Sequence, residues 1–263
     1  MENCQIDDLG DRLVVTNDNP KRRNALTPGF QAGLSQALAT ANAERRIAAV
    51  ILTGAEGFFC AGGDLNVLMT AHTLSDDGRR ARIRDLAQLM QSIMDCRVPV
   101  IAAVEGGAAG AGLSLMMACD LVVAASDAQF TAAYVNAGLI PDGGLSGTLS
   151  AALPRPLVAE MLLLGLPVGA ERLFDLGAIN RLATPGDALD SANQLADRLA
   201  QGPADAQAAI KTLTTTAHRA MIQAQFDAEV PLMAAALAGP EAAEGAAAFL
   251  AKRQPEFARL RNS

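Results

Sequence analysis

Four short apolar runs, each followed by a longer stretch of mixed character, set the rhythm of this chain. Arg12 to Thr16 (RLVVT) reads as a strand. Ile47 to Leu52 (IAAVIL), Val98 to Val104 (VPVIAAV) and Leu121 to Ala125 (LVVAA) are continuous apolar runs, the mark of strands buried on both faces. Between them the period changes. Thr27-Pro28 reads as an N-cap with proline at the first helical position, opening a helix to about Glu44 with Phe30, Leu34 and Leu38 on one face. Ile83, Leu86, Leu89, Met90 and Ile93 mark another helix, preceded by a polar, flexible-looking piece around SDDGRR. LSLMMACD, Leu145 to Leu153, PLVAEMLLLG and GAERLFDLG read as further helices, and two of the apolar runs open into glycine-rich loops. Strand, glycine loop and helix in repetition predict an α/β domain whose crossovers cover its strands. After Ala188 the β signal ends. The rest of the chain reads as Ala-rich helix broken at Gly202-Pro203 and Gly239-Pro240, with a boundary placed near residue 200.

Composition narrows this picture. The 263 residues are 51% hydrophobic but only 3% aromatic, so the core must be close-packed from small side chains. A net charge of -7 argues against a nucleic-acid or membrane surface. The charge-free run from Gly106 to Cys119 falls short of the roughly 18 residues of a membrane span. The opening MENCQIDDLG has no apolar segment, so no secretory signal is expected. Cys4, Cys60, Cys96 and Cys119 are scattered, without metal-ligand spacing, and fit free thiols in a cytoplasmic protein.

Chemistry enters with the glycine loops. Gly107, Gly110 and Gly112 in GGAAGAG spell GxxGxG rather than the GxGxxG of a dinucleotide fingerprint, which argues against a nicotinamide or flavin enzyme. A glycine-rich strand exit leading into a helix still offers free N–H groups to something negative. The loop FCAGGDL after the earlier buried strand offers a second set. One N–H from each, aimed at one oxygen, would form an oxyanion hole. Either loop alone is equally a tight turn.

FFCAGGDL, VPVIAAVEGGAAGAGLSLMMACD and AQFTAAYVNAGLIPDGG resemble the successive motifs of the enoyl-CoA hydratase/isomerase (crotonase) superfamily. NPKRRNAL and EGAAAFLAKRQPEF are similar to its flanking motifs, so the likeness runs through nearly the whole chain. The resemblance implies a crotonase-like spiral of ββα units over residues 1–200 and a helical region over 201–263 that builds a homotrimer or hexamer. It implies an acyl-CoA thioester substrate, with coenzyme A brought in as part of that substrate and no separate cofactor. It places the oxyanion N–H groups on Gly63 and Ala111, the latter helped by the dipole of its helix. It places substrate and CoA contacts at Arg22 and Ala25, at Ala61, Asp64 and Leu65, at Ser114 and Tyr134, and at Phe249 and Lys252, the last two often reaching across a subunit boundary.

One departure matters. Where similar hydratases carry the two glutamates that hold the added water, this chain has Ser114 and Tyr134. Neither hydroxyl is a base without an activating partner. Asp142, in N-A-G-L-I-P-D-G-G, is the one ionisable side chain left in that part of the motif. Segments reading GL-x-PD resemble the ring-opening and double-bond isomerases of phenylacetyl-CoA breakdown, which implies a proton-shuttling role for Asp142. The same residue type beside Pro and Gly also fits a turn or a cap on Leu145 or Ser146. The functional alternatives are an isomerase, a hydratase or thioester hydrolase using Asp142 to activate water, and a non-catalytic acyl-CoA-binding homologue. Elsewhere the plainer readings hold: Asp64 as a helix cap, Ser114 as a helix-face serine in an Ala-rich core, Cys60 as core, His72 and His218 as solvated.

Overall fold

The structure, a computed structural model, describes residues 2–64 and 70–261. Its main sheet is built from β1 (Cys4–Asp8), β2 (Arg12–Asn17), β3 (Ala49–Gly54), β4 (Val100–Val104), β6 (Leu121–Ala125) and β9 (Arg181–Ala183), in the spatial order β1-β2-β3-β4-β6-β9. Only the β1–β2 pair is antiparallel; the rest run parallel. A small second sheet joins β5 (Gly107–Ala109), β7 (Gln129–Thr131) and β8 (Val168–Gly169). β4 is thus followed directly by β5, and β6 by β7. One strand of each sheet and then a helix or turn is the ββ unit of the expected spiral.

The apolar runs are explained by what lies on each side of the main sheet. Val50, Leu52, Val100, Ala102, Val122 and Ala124 face a large core shared with α1 (Pro28–Ala43) and α2 (Asp76–Met94). The alternate residues Ala49, Ile51, Ile101, Ala103 and Val123 face α7 (Ala188–Ala200), which meets them with Ala192 and Ala196 one turn apart and Ala188 one turn earlier. A strand covered on both faces has no polar position to show, hence no alternation.

Helix starts follow the expected chemistry, with one correction. Thr27 caps α1, its Oγ1 accepting from the Phe30 N–H at 3.1 Å. SDDGRR is not a flexible loop: it is the beginning of α2. Ser75 Oγ accepts from Gly78 N–H at 3.1 Å, Asp76 and Asp77 occupy the positive first turn, and Arg80 pairs with Asp76 at 2.5 Å. Further helices are α3 (Ala111–Met117), α4 (Leu145–Ala152), α5 (Arg155–Leu164), α6 (Ala170–Asp175), the 35-residue α8 (Ala204–Ala238) and α9 (Pro240–Leu250). α8 lies along α2 and also reaches α4. No described helix is long and apolar enough to cross a membrane.

Candidate active site

The two glycine loops meet. Ala109 N–H donates to the Cys60 carbonyl at 2.9 Å, part of a short parallel bridge between Cys60 and Ala108. Two glycines make that approach possible. Gly62 has φ +93°, and a Cβ on it would lie 2.6 Å from the Ala109 carbonyl oxygen and 3.0 Å from the Ala111 nitrogen. A Cβ on Gly112 would lie 2.2 Å from the Cys60 carbonyl oxygen. Any side chain there would push the loops apart. Gly63 follows on one loop and Ala111 on the other, and neither N–H donates to a described residue. Ala111 opens α3, so its N–H has no acceptor within the helix. Two unpaired donors on abutting loops can serve one oxygen.

Beyond α3, three side chains converge. Ser114 Oγ lies 3.0 Å from the Tyr134 hydroxyl and 2.9 Å from the Asp142 main-chain carbonyl, and its single proton is shared between the two. The Tyr134 hydroxyl donates to Asp142 Oδ1 at 2.7 Å. Ser114 and Asp142 are 1% and 7% exposed, and Tyr134 is buried with them. Oδ2 of Asp142 accepts no hydrogen bond from a described residue. The Asp142 carboxyl is pushed up to about 7: burial is the main cause, the Tyr134 hydrogen bond opposes it, and the negative charge of Glu229 adds to it. Burial, and then the Asp142 charge, drive the Tyr134 phenol far above its ordinary value, so it remains a donor.

Asp142 is not a side-chain cap. Its carbonyl accepts from Leu145 N–H at 3.4 Å, and no side-chain bond from Asp142 reaches α4. Glu229, from α8, holds that helix start instead, accepting from Gly144 N–H at 2.7 Å, Ser146 N–H at 3.3 Å and Ser146 Oγ at 2.6 Å. Burial raises the Glu229 carboxyl, and its bonds from Ser146 and Gly144 oppose the rise. Glu229 had no motif to announce it. Its one signal is its place as the last charged residue before the apolar run VPLMAAALA.

The remaining expected positions fall into two groups. Arg22 forms an ion pair with Asp64, Ala61 N–H donates to the Arg23 carbonyl at 2.9 Å, and Ala25 is buried beside them, so these sit together next to the first loop. Asp64 is therefore Arg22's partner. Leu65 lies outside the described residues. Phe249, 60% exposed, and Lys252 stand at the end of α9, and neither side chain bonds to Ser114, Tyr134 or Asp142. Cys60 is a buried thiol pushed up to about 12 by burial, which makes it core rather than nucleophile. His218 is exposed on α8, and among the described residues no cluster of His, Cys, Asp or Glu could hold a metal ion.

Residues 12–260 match the family model described as enoyl-CoA hydratase/isomerase. The chain belongs to the enoyl-CoA hydratase/isomerase family. Its relatives within that family differ in named reaction. It is 34% identical to a 1,2-epoxyphenylacetyl-CoA isomerase of Escherichia coli K12, over 93% of this chain and 94% of that one. It is 31% identical to a carnitinyl-CoA dehydratase of Salmonella arizonae, over 97% and 98%. Among solved structures, an enoyl-CoA hydratase from Polaromonas sp. JS666 is 41% identical over 96% of this chain and 98% of that one, with a TM-score of 0.80. One from Mycobacterium avium subsp. paratuberculosis K-10 gives a TM-score of 0.87 at 27% identity, covering 97% and 98%. The fold of this family member is the crotonase fold, and its substrates belong to the acyl-CoA thioesters on which the family acts.

Proposed function

We propose that this family member isomerises an acyl-CoA thioester, with Asp142 moving a proton between two carbons of the acyl group. The observation that carries this reading is the buried Asp142 carboxyl, bonded through Oδ1 to Tyr134, at a site whose two other hydration positions hold hydroxyls. As carboxylate, Asp142 takes a proton from a carbon next to the thioester or conjugated with it. The C–H electrons move toward the thioester carbonyl, whose oxygen becomes negative and is held by the Gly63 and Ala111 N–H groups. Collapse of that enolate takes the proton back at another carbon, restoring the carboxylate. A group that is base in one half and acid in the other works best with a proton affinity near the working pH, and the value of about 7 suits both halves. Nothing is added to the substrate and nothing lost.

Arg22 and Lys252 are the cations we assign to the CoA phosphates, Arg22 by exchanging Asp64 for the ligand. The exposure of Phe249 and Lys252 supports a site completed by a neighbouring subunit in a trimer or hexamer.

The test is Asp142→Asn. Turnover should fall by about a hundredfold or more, while the affinity for a substrate thioester stays within a fewfold of wild type. Full activity in that variant overturns the assignment. The naming of several relatives as hydratases or dehydratases favours a second reading, in which Asp142 activates water. Reaction in ¹⁸O-labelled water decides between them: isomerisation leaves the acyl group unlabelled, and hydration places the label on carbon.

A further inference from the structure

Tyr134 is the one tyrosine of the chain, which has no tryptophan. Its hydroxyl is fully engaged by protein. It donates to Asp142 Oδ1 at 2.7 Å, and Ser114 Oγ stands 3.0 Å away on its other side. Ser114 in turn reaches the Asp142 main-chain carbonyl at 2.9 Å. The three residues thus form a closed loop that starts on the Asp142 side chain and ends on its backbone. Such a loop fixes both the turn and the torsion of the carboxyl, and Oδ2 accepts no hydrogen bond from a described residue. With its proton on Asp142, this hydroxyl has none left to donate to a substrate.

We propose that Tyr134 is the positioning residue of Asp142: its hydroxyl pins Oδ1, Ser114 holds that hydroxyl in place, and Oδ2 is left as the oxygen that exchanges a proton with the substrate. The inference rests on the acid/base reading of Asp142 for its catalytic meaning, but not for the bond itself. Two neighbouring titratable groups bear on the carboxyl: Tyr134, whose hydrogen bond favours its charged form, and Glu229 from α8, whose charge disfavours it. Ser114 is neutral and acts through the orientation of the Tyr134 hydroxyl. A hydrogen bond to a charged group is worth about one to two pH units of proton affinity.

The single tyrosine makes the bond visible without any turnover. Near-ultraviolet absorbance and tyrosine fluorescence of the intact protein report on Tyr134 alone, and should titrate with a midpoint near 7 as Asp142 ionises. Asp142→Asn should abolish that titration. A flat signal in the wild type, or the same titration in Asp142→Asn, overturns the proposal. For the catalytic part, Tyr134→Phe should move the acidic limb of the pH profile of kcat/KM up by about one to two units. Its kcat should drop by about ten- to a hundredfold with little change in KM. Should Tyr134→Phe fold poorly, biosynthetic replacement of the one tyrosine by 3-fluorotyrosine preserves the packing. Its more acidic phenol is a stronger donor, so the limb should move down. A limb unmoved by the substitution that folds overturns the positioning role. An active Asp142→Asn would instead remove the acid/base reading, while the optical titration still decides whether Tyr134 holds Asp142.

Discussion

Asp142 occupies a place where its charge works against the fold. In an unfolded chain an aspartate ionises near pH 3.9, whereas here the carboxyl holds its proton up to about 7. The folded state therefore binds this proton more tightly than the unfolded one. Its contribution to stability is complete below about pH 4, declines as pH rises, and is lost above about 7. Each unit of the difference corresponds to about 1.4 kcal/mol, so the cost of the ionised form is a few kcal/mol at most. An asparagine keeps an oxygen for the Tyr134 hydroxyl and never ionises. Asp142→Asn should thus resist urea better than wild type at pH 8, and the two midpoints should converge toward pH 4. An equal gap at both pH values would show that the burial of Asp142 carries no ionisation cost. Loss of turnover together with a gain in stability is the pattern expected of a site whose strain serves its chemistry.

The start of α4 shows how one element frees another residue for that work. Four N–H groups open any helix without partners, and here Glu229 of α8 satisfies two of them, on Gly144 and Ser146. Glu229→Ala should leave buried donors bare and destabilise the fold by roughly 3 kcal/mol, read from denaturant unfolding. Glu229→Gln keeps the shape but removes a negative charge facing Asp142, so the acidic limb of activity should move to lower pH. A limb that moves up, or not at all, would show that this charge does not reach Asp142. This element also marks the limit of what the sequence discloses. The long apolar strands, the Thr27 cap and the helices they alternate with are written in local period, so they are readable. The strands of the second sheet are two or three residues long and exist through distant pairing, such as Gly107 against Gln129, while β1 (CQIDD) is a mostly polar strand held by its hairpin with β2. The SDDGRR helix start looks loose in sequence because its charge suggests a loop, although the Ser75 cap is there to read. Asp142 stands out as a lone acid among small residues. Its bond to Tyr134 cannot stand out, because only the turn at Val135–Ala137 and the placement of α3 bring the two hydroxyls to it. Glu229 is hidden for the same reason, 85 residues from the turn it holds.

At the scale of the molecule, the site depends on α8 staying fastened to the sheet. Its far end carries Glu229, and its near end is tied by Lys211. Buried in the fold, Lys211 Nζ donates to the carbonyls of Ile93 and Val98 at 3.0 Å each and pairs with Asp120 Oδ2 at 2.5 Å. Those partners are the end of α2, the approach to β4 and the residue just before β6, so one ammonium joins the long helix to two central strands. Asp120 also accepts from Val100 N–H at 2.7 Å. Burial pushes the Asp120 carboxyl up despite the lysine beside it, so the pair stands in a place hostile to an unmatched charge. Lys211→Met removes the cation, leaves two carbonyls bare and strands the carboxylate, a loss of about 3–5 kcal/mol. The sign of its pH dependence is set by Asp120. Without the lysine the carboxyl holds its proton still more tightly, so the defect should be smallest in acid, where Asp120 is neutral, and grow as pH rises. Replacing Asp120 by asparagine in the same chain should recover part of the loss above neutral pH and little below it. Denaturant midpoints of the two variants across that range check this. A defect indifferent to pH, or one not eased by Asp120→Asn, would mean that α8 is held by its packing along α2 rather than by this buried pair.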